Sequence, residues 1–295
     1  MNFAIIGVGG YIAPRHLEAI KELGHNLVAA YDPKDSVGIM DRYFPDCQFY
    51  TDFERFESFI DSLKGTKDQV EYVAICTPNY MHASHIKFAL SHGAHAICEK
   101  PLVLYKKDID DLLVYEDKYD RKVYTVLQLR VHDAILALKK KIEAEKKPLH
   151  EIELVYMTSR GQWYHESWKG DVKKSGGLST NIGVHFFDML TWIFGEPKEI
   201  KSGEKSASYE SGELLLEKAR VKWSLTIDRK YLPPEAVKSG KTTFRSIKID
   251  GEEFEFSEGF TELHKRVYRD VLSGKGYGLE SARAAIEIVE KIRVQ

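Results

Sequence analysis

The chain has 295 residues, 43% of them hydrophobic and 30% charged, which suggests two domains of roughly 150 residues and excludes wholesale disorder. Lys plus Arg number 43 and Asp plus Glu 45, a formal net charge of -2, so no positive excess points to nucleic acid as the partner. Three cysteines without a CxxC pair make no disulfide framework and fit the reduced thiols of a cytoplasmic protein. The opening MNFAIIGVGG lacks the basic start and long apolar run of a secretory signal. No stretch approaches about 18 consecutive apolar residues, so neither a membrane span nor a membrane partner is expected.

Apolar runs at Asn2 to Ile6 and Asn26 to Tyr31 flank a helical pattern from Ile12 to Leu23 that stops at Gly24. A helix is expected from about Ser36 to Phe44, an extended piece at Cys47 to Tyr50, and a helix from Phe53 to Leu63 capped by Asp52. Strand patterns at Val70 to Cys76, His95 to Cys98 and Lys122 to Leu127 alternate with helical ones at Tyr80 to His92 and Asp108 to Tyr119. Strands and helices in alternation, with nearly continuous apolar strands, indicate a parallel sheet covered on both faces.

After Arg130 the rhythm changes. A Lys-rich amphipathic helix from Val131 to Lys146 leads to a strand at Ile152 to Thr158. Ser159 to Ser179 reads as a long polar and aromatic loop, of a length that is usually functional. An apolar helix from Ile182 to Phe194 ends at Gly195. Strands follow at Lys198 to Ser202, Glu213 to Leu216, Ala219 to Ile227, Phe244 to Ile249 and Glu252 to Phe256, the last two joined by an Asp250-Gly251 hairpin turn. Helices at Phe260 to Leu272 and Glu280 to Arg293 finish the chain. Strands in direct succession imply an antiparallel sheet, hence an α+β second domain. The expected division is 1–125 and 126–295.

The first strand runs into Gly7-Val8-Gly9-Gly10-Tyr11-Ile12-Ala13. Glycines at a strand-to-helix turn let the backbone approach a pyrophosphate, and the helix N-terminus supplies amide donors. The usual G-x-G-x-x-G spacing would place a third glycine where Ile12 stands, and a tight βα turn without a ligand reads the same way. Asp32 ends the second strand about 25 residues after Gly7, near the distance expected for the acid that accepts from a ribose. An acid there repels a 2'-phosphate, which favours NAD over NADP. Asp35 assists Asp32 or caps the following helix. Two further strand ends point to the same rim, Thr77-Pro78-Asn79-Tyr80-Met81-His82 and Glu99-Lys100-Pro101-Leu102.

The segments GVGGYIAPRH, TPNYMH, CEKPL and GVHFFDML together resemble the Gfo/Idh/MocA oxidoreductases, over essentially the whole chain. YDPKDSVG, LQLR, TSRGQWYHESWKGD and TNIGVHFFDML are closer still to the branch of UDP-N-acetyl-2-amino-2-deoxyglucuronate (UDP-GlcNAcA) 3-dehydrogenases of the WlbA/WbpB type. The resemblance implies an N-terminal Rossmann domain with a parallel sheet and a C-terminal α+β domain with an open, mainly antiparallel sheet. It also implies NAD, a UDP-sugar substrate, a homo-oligomer that is often a tetramer, and a role in surface-polysaccharide sugar biosynthesis. 2-Oxoglutarate is a further candidate partner, to recycle a retained cofactor.

Oxidising a sugar hydroxyl needs a base for the proton and a hydride acceptor facing the carbon. His185 is assigned as the base and Lys100 as the group that orients the hydroxyl, with the roles exchangeable. Both are expected to converge beside the reacting carbon, His185 facing the cleft between the domains. A satisfied core histidine is the plainer reading of His185 without the resemblance. Gly7, Gly10, Tyr11, Ile12, Asp32, Asp35, Thr77, Asn79, His82, Glu99, Lys100 and Gln128 are the candidate cofactor contacts. Arg160, Trp163, Tyr164, Lys169, Asn181, Lys100 and His185 are the candidate substrate contacts. Asn181 stands four residues before His185, where inositol-dehydrogenase-type members often carry Asp, so an uncharged contact is expected there. Asp188 orients His185 or faces solvent; Arg130 contacts ligand or pairs with a structural acid. His16, His82 and His132 lack metal-ligand spacing, so no metal is expected. The alternatives are a dehydrogenase of another sugar, inositol or sugar nucleotide, and a non-catalytic NAD-binding regulator on the same fold.

Overall fold

The computed structural model describes residues 1–256 and 259–295. In chain order its elements begin β1 (Asn2–Ile6), α1 (Ala13–Glu22), β2 (Asn26–Tyr31), α2 (Met40–Tyr43), β3 (Gln48–Tyr50) and α3 (Phe53–Ser62). They continue with β4 (Tyr72–Ile75), α4 (His82–Ser91), β5 (His95–Cys98), α5 (Lys106–Tyr119), β6 (Val123–Thr125) and α6 (Asp133–Ala144). Next come β7 (His150–Thr158), α7 (Gln162–Glu166), α8 (Val172–Ser175), α9 (Val184–Phe194), β8 (Pro197–Lys205), β9 (Tyr209–Leu216) and β10 (Ala219–Thr226). The last are α10 (Pro234–Lys238), β11 (Thr243–Ile249), β12 (Glu252–Glu253), α11 (Leu263–Leu272) and α12 (Leu279–Val294).

These elements form two compact units. The first holds residues 1–103, 107–128 and 261–282, and the second 104–106, 129–260 and 283–295. In the first, a six-stranded sheet runs in the order β3-β2-β1-β4-β5-β6, every pairing parallel, as the apolar strand patterns predict. Phe3, Ala4, Ile5 and Ile6 of the central strand β1 are fully buried. Phe3 stacks on Tyr72 of β4 and on Tyr268 of α11, so a helix from late in the sequence completes this core.

In the second unit the order is β12-β11-β7-β10-β9-β8; β7 and β10 pair in parallel and the other neighbours antiparallel. Ile152, Leu154, Val221, Trp223 and Leu225 point to the buried face, where Phe187 of α9 meets Trp223 edge-on at 5.3 Å. Glu151, Glu153, Arg220 and Lys222 alternate with them and are exposed. No helix among the described residues is long and apolar enough to cross a membrane.

Several local expectations hold. Asp52 caps α3 by accepting the Arg55 amide at 2.9 Å, and both Asp250 and Gly251 have positive φ, as a type I′ hairpin requires. Others need correction. The helix expected from Ser36 shrinks to α2, because Val37 bonds back to the Asp35 carbonyl and Met40 to that of Val37, closing tight turns around Gly38. The segment from Ser159 to Ser179 is not a plain loop. It folds into α7 and α8, the second capped by Asp171, whose side chain accepts the Lys173 amide at 2.9 Å, and ended by Gly176 with φ 82°.

Candidate active site

The carboxyl ends of β1, β2, β4 and β5 share one rim of the parallel sheet, and the glycine turn lies there. Gly7 has φ 89°, and a Cβ on it would stand 2.9 Å from the Cys76 carbonyl carbon and the Thr77 amide nitrogen. A Cβ on Gly10 would stand 3.0 Å from the Gly7 carbonyl oxygen. The turn is therefore closed to side chains and leaves bare backbone ahead of α1, as a dinucleotide site requires. Gly9 donates its amide to Asp32 Oδ2 at 2.9 Å, while the Lys34 amide donates to Asp32 Oδ1 at 3.0 Å. Two backbone donors thus fix the carboxylate and leave each oxygen a further lone pair. Tyr11 is 96% exposed, Ile12 is half-buried, and Asp35 does not cap α2, whose N-cap residue is Ile39.

Thr77, Asn79 and His82 follow β4 and are buried. The His82 ring bridges two loops, with Nδ1 2.7 Å from the Pro101 carbonyl and Nε2 2.9 Å from that of Thr77. Burial lowers its pKa, against those two carbonyls. Glu99 follows β5 directly as a buried carboxylate, and half-buried Lys100 comes next. Gln128, also half-buried, opens a short 3-10 turn that ends at Val131.

In the second unit α9 carries His185 in its first turn, half-buried. It is preceded by a π-helical turn, Ser179–Gly183, an irregularity often found at functional sites. Buried Glu210 of β9 anchors that turn by accepting the Ser179 amide at 2.9 Å. Asn181, within the turn, donates to the hydroxyl oxygen of Tyr164 at 2.9 Å. Tyr164 is buried on α7 and half-exposed Trp163 meets its ring edge-on at 5.8 Å. Lys169 places its ammonium 4.1 Å from the Trp168 ring centre. Arg160 is exposed. The fold thus brings Asn181 to Tyr164 and stacks Lys169 on Trp168.

Asp188, one turn beyond His185, does not face solvent. It is 2% exposed and accepts Arg130 Nε at 3.1 Å and Nη2 at 2.7 Å. Of the two readings of Arg130, the structural acid is the one found. Burial raises the Asp188 carboxyl above its ordinary value, and the guanidinium offsets part of that rise.

Sequence reasoning missed the groups around Glu99. Glu99 Oε1 lies 3.0 Å from His16 Nε2 and 2.9 Å from His264 Nε2, and Tyr268 Oη lies 2.7 Å from His16 Nδ1. The three ligand-type atoms of His16, Glu99 and His264 lie within 4.8 Å of one another. Both imidazoles direct Nε2 at one carboxylate oxygen at hydrogen-bond distance, and with the Nε2–H tautomer assigned to each ring the three groups form a hydrogen-bonded cluster. No local signal links positions 16, 99 and 264.

Comparison with known proteins matches residues 1–127 to the NAD-binding Rossmann fold of the Gfo/Idh/MocA oxidoreductase family and residues 139–221 to that family's C-terminal alpha/beta domain. The WlbA (WbpB) dehydrogenase from Thermus thermophilus, solved with NAD and UDP-GlcNAcA, is 47% identical, with TM-score 0.96 over 99% of this chain and 94% of that one. A structure of the same dehydrogenase with NAD and alpha-ketoglutarate shows 48% identity, TM-score 0.96 and the same coverage, 99% and 94%. A 2,7-anhydro-N-acetylneuraminate hydratase from Mediterraneibacter gnavus is 32% identical over 113 residues, 38% of this chain and 28% of the relative. Inositol 2-dehydrogenase from Rhizobium meliloti is 27% identical over 199 residues, 66% of this chain and 56% of the relative. The chain therefore spans less than two-thirds of the length of these two curated relatives. A glycine turn closed to side chains, a carboxylate held by that turn just past the second strand and matches over both units lead to one conclusion: the chain belongs to the Gfo/Idh/MocA oxidoreductase family, with an NAD-binding Rossmann domain ahead of its C-terminal domain.

Proposed function

We propose that the protein oxidises the C3 hydroxyl of UDP-GlcNAcA to the 3-keto sugar nucleotide with NAD, in the cytoplasm, for surface-polysaccharide sugar synthesis. One observation carries this reading: near-half identity over 99% of the chain to a dehydrogenase solved with NAD and that sugar nucleotide. Bound NAD supplies the hydride acceptor. Gly7 and Gly10 leave backbone open for its pyrophosphate at the start of α1. Tyr11 and Ile12 flank that backbone. Asp32, with Asp35 nearby, takes the ribose hydroxyls. Thr77, Asn79, Glu99 and Gln128 line or support the nicotinamide end, with His82 bracing the loops.

On the proton side, His185 takes the C3 hydroxyl proton as hydride leaves carbon, and Lys100 holds the oxygen and stabilises its developing negative charge. Asn181, oriented by Tyr164, contacts the sugar through an uncharged amide. Arg160 and Lys169 meet the carboxylate or diphosphate, and Trp163 stacks on a ring. The complex of the Thermus protein with alpha-ketoglutarate supports 2-oxoglutarate as the oxidant that regenerates NAD in place. The working form is a homotetramer, which light scattering will test. Activity is tested by following NADH on adding UDP-GlcNAcA, with and without 2-oxoglutarate. Turnover is expected, larger with the keto acid when the cofactor is retained. Absence of turnover under both conditions defeats this reading.

A further inference from the structure

Glu99 is a buried carboxylate that immediately precedes Lys100. Its Oε1 accepts from His16 and from His264, and its Oε2 lies 3.2 Å from the Lys100 amide nitrogen. Because His16 donates through Nε2, its Nδ1 is left as an acceptor, and the Tyr268 hydroxyl fills that place as donor. Three elements meet at this one carboxyl group: α1 behind the glycine turn, the end of β5, and α11, whose His264 and Tyr268 lie four residues apart on one helix face.

Burial alone would raise the Glu99 carboxyl; the hydrogen bonds from His16 and His264 outweigh it and hold the group well below the usual carboxylate range. Burial lowers His16, so that ring stays neutral. The other titratable groups facing Glu99 are Cys76, Cys98, Tyr268 and His82. Burial, with Glu99 adding to it, pushes both thiols and the phenol well above their ordinary values, and burial lowers His82. Among these groups the negative charge therefore rests on Glu99, whose buried carboxylate meets the Lys100 amide and is poorly screened by solvent.

We propose that His16 and His264 are positioning residues for Lys100: both donate to Glu99 Oε1 and so fix the carboxylate whose Oε2 accepts from the Lys100 amide. This rests on the role assigned to Lys100 above. Losing either imidazole donor lets Glu99 bind a proton nearer neutrality, loosens the Lys100 amide, and removes a negative charge carried by the adjacent residue, which lowers the Lys100 midpoint.

The test uses His16→Leu and His264→Leu, which delete the donors, beside His16→Gln and His264→Gln, whose amide N–H reaches the place of Nε2. Two readouts are taken: the pH profile of kcat with UDP-GlcNAcA, and the pH midpoint for acylation of Lys100 by a trace reagent, read by mass spectrometry. The Leu variants are expected to lose kcat on the order of 10²-fold, with both the alkaline limb and the Lys100 midpoint moved down by about one pH unit. The Gln variants should stay within a few-fold of the parent with both unmoved. Glu99→Gln, isosteric and uncharged, should lower the Lys100 midpoint even if the Leu variants do not fold. An unmoved midpoint in Glu99→Gln, or Gln variants as impaired as the Leu variants, overturns the proposal. Labelling needs no turnover, so an inactive parent protein defeats the functional reading alone and leaves the cluster to be judged separately.

Discussion

Each unit keeps one buried carboxylate close to the residue proposed to handle protons, and the two are held in different ways. In the first unit Glu99 sits next to Lys100 and is satisfied by imidazole donors. In the second Asp188 sits one turn past His185 and is satisfied by the Arg130 guanidinium, which also faces the Trp192 ring at 5.5 Å. The outcomes differ in sign: the Glu99 carboxyl lies below its ordinary value and the Asp188 carboxyl above it. Burial opposes ionisation in both. What differs is whether the surrounding donors and charges outweigh it, so the partner set rather than depth decides a buried acid's charge state.

The comparison matters only if each carboxylate stands behind a working group. Lys100→Met and His185→Asn are therefore expected to give the largest losses, a fall in kcat of about 10²–10⁴-fold with NAD still bound, measured by steady-state kinetics and cofactor titration. A fall in only one would leave one carboxylate without a catalytic neighbour.

Arg130→Met strands Asp188 and should cost about 3–5 kcal/mol in denaturant unfolding, whereas Arg130→Met with Asp188→Leu should recover most of it. A single-variant cost under about 1 kcal/mol would reduce the pair to a surface-like contact.

Acid titration separates the two carboxylates next. Since the folded Glu99 pKa lies below its unfolded value of about 4.3, its contribution is present above that pH and fades as pH falls through the folded value. Asp188, raised when folded, contributes fully below about 3.9 and loses that contribution as pH rises through its folded value. Glu99→Gln should therefore be less stable than the parent near neutrality, by on the order of 1–3 kcal/mol, and the gap should narrow in acid. Asp188→Asn should change the acid slope in the opposite direction. Parallel slopes would abolish the contrast. The smallest effect belongs to exposed Trp163: Trp163→Ala should leave stability within about 0.5 kcal/mol while raising KM for the sugar nucleotide several-fold.

Much of the first unit is legible because its signals are local. A glycine turn after an apolar strand, Asp32 closing the next strand, and Asp52 ahead of a helix each act within a few residues. The second unit yields its strands and the Asp250-Gly251 turn on the same grounds. Helices α7 and α8 escape because five and four residues cannot display helical periodicity. The buried polar sets escape for another reason. His16 and His264 carry no local signal, and the readings open to Glu99, Arg130 and Asp188 named no partner, because only contacts across 58 to 165 residues join them as interior groups. The return of residues 261–282 to the first unit is likewise written in no local pattern.

That return has a consequence for how the protein is made. A ribosome releases the six parallel strands long before it releases Tyr268, whose ring stacks on Phe3 of the central strand. Until then the nascent nucleotide-binding half carries a buried acid short of one donor and a hydrophobic seat waiting to be filled. Closure across so long a span of chain is slow. A fragment ending at residue 128 should therefore be dim in cofactor binding and prone to aggregate, and adding residues 261–282 as a separate peptide should rescue it.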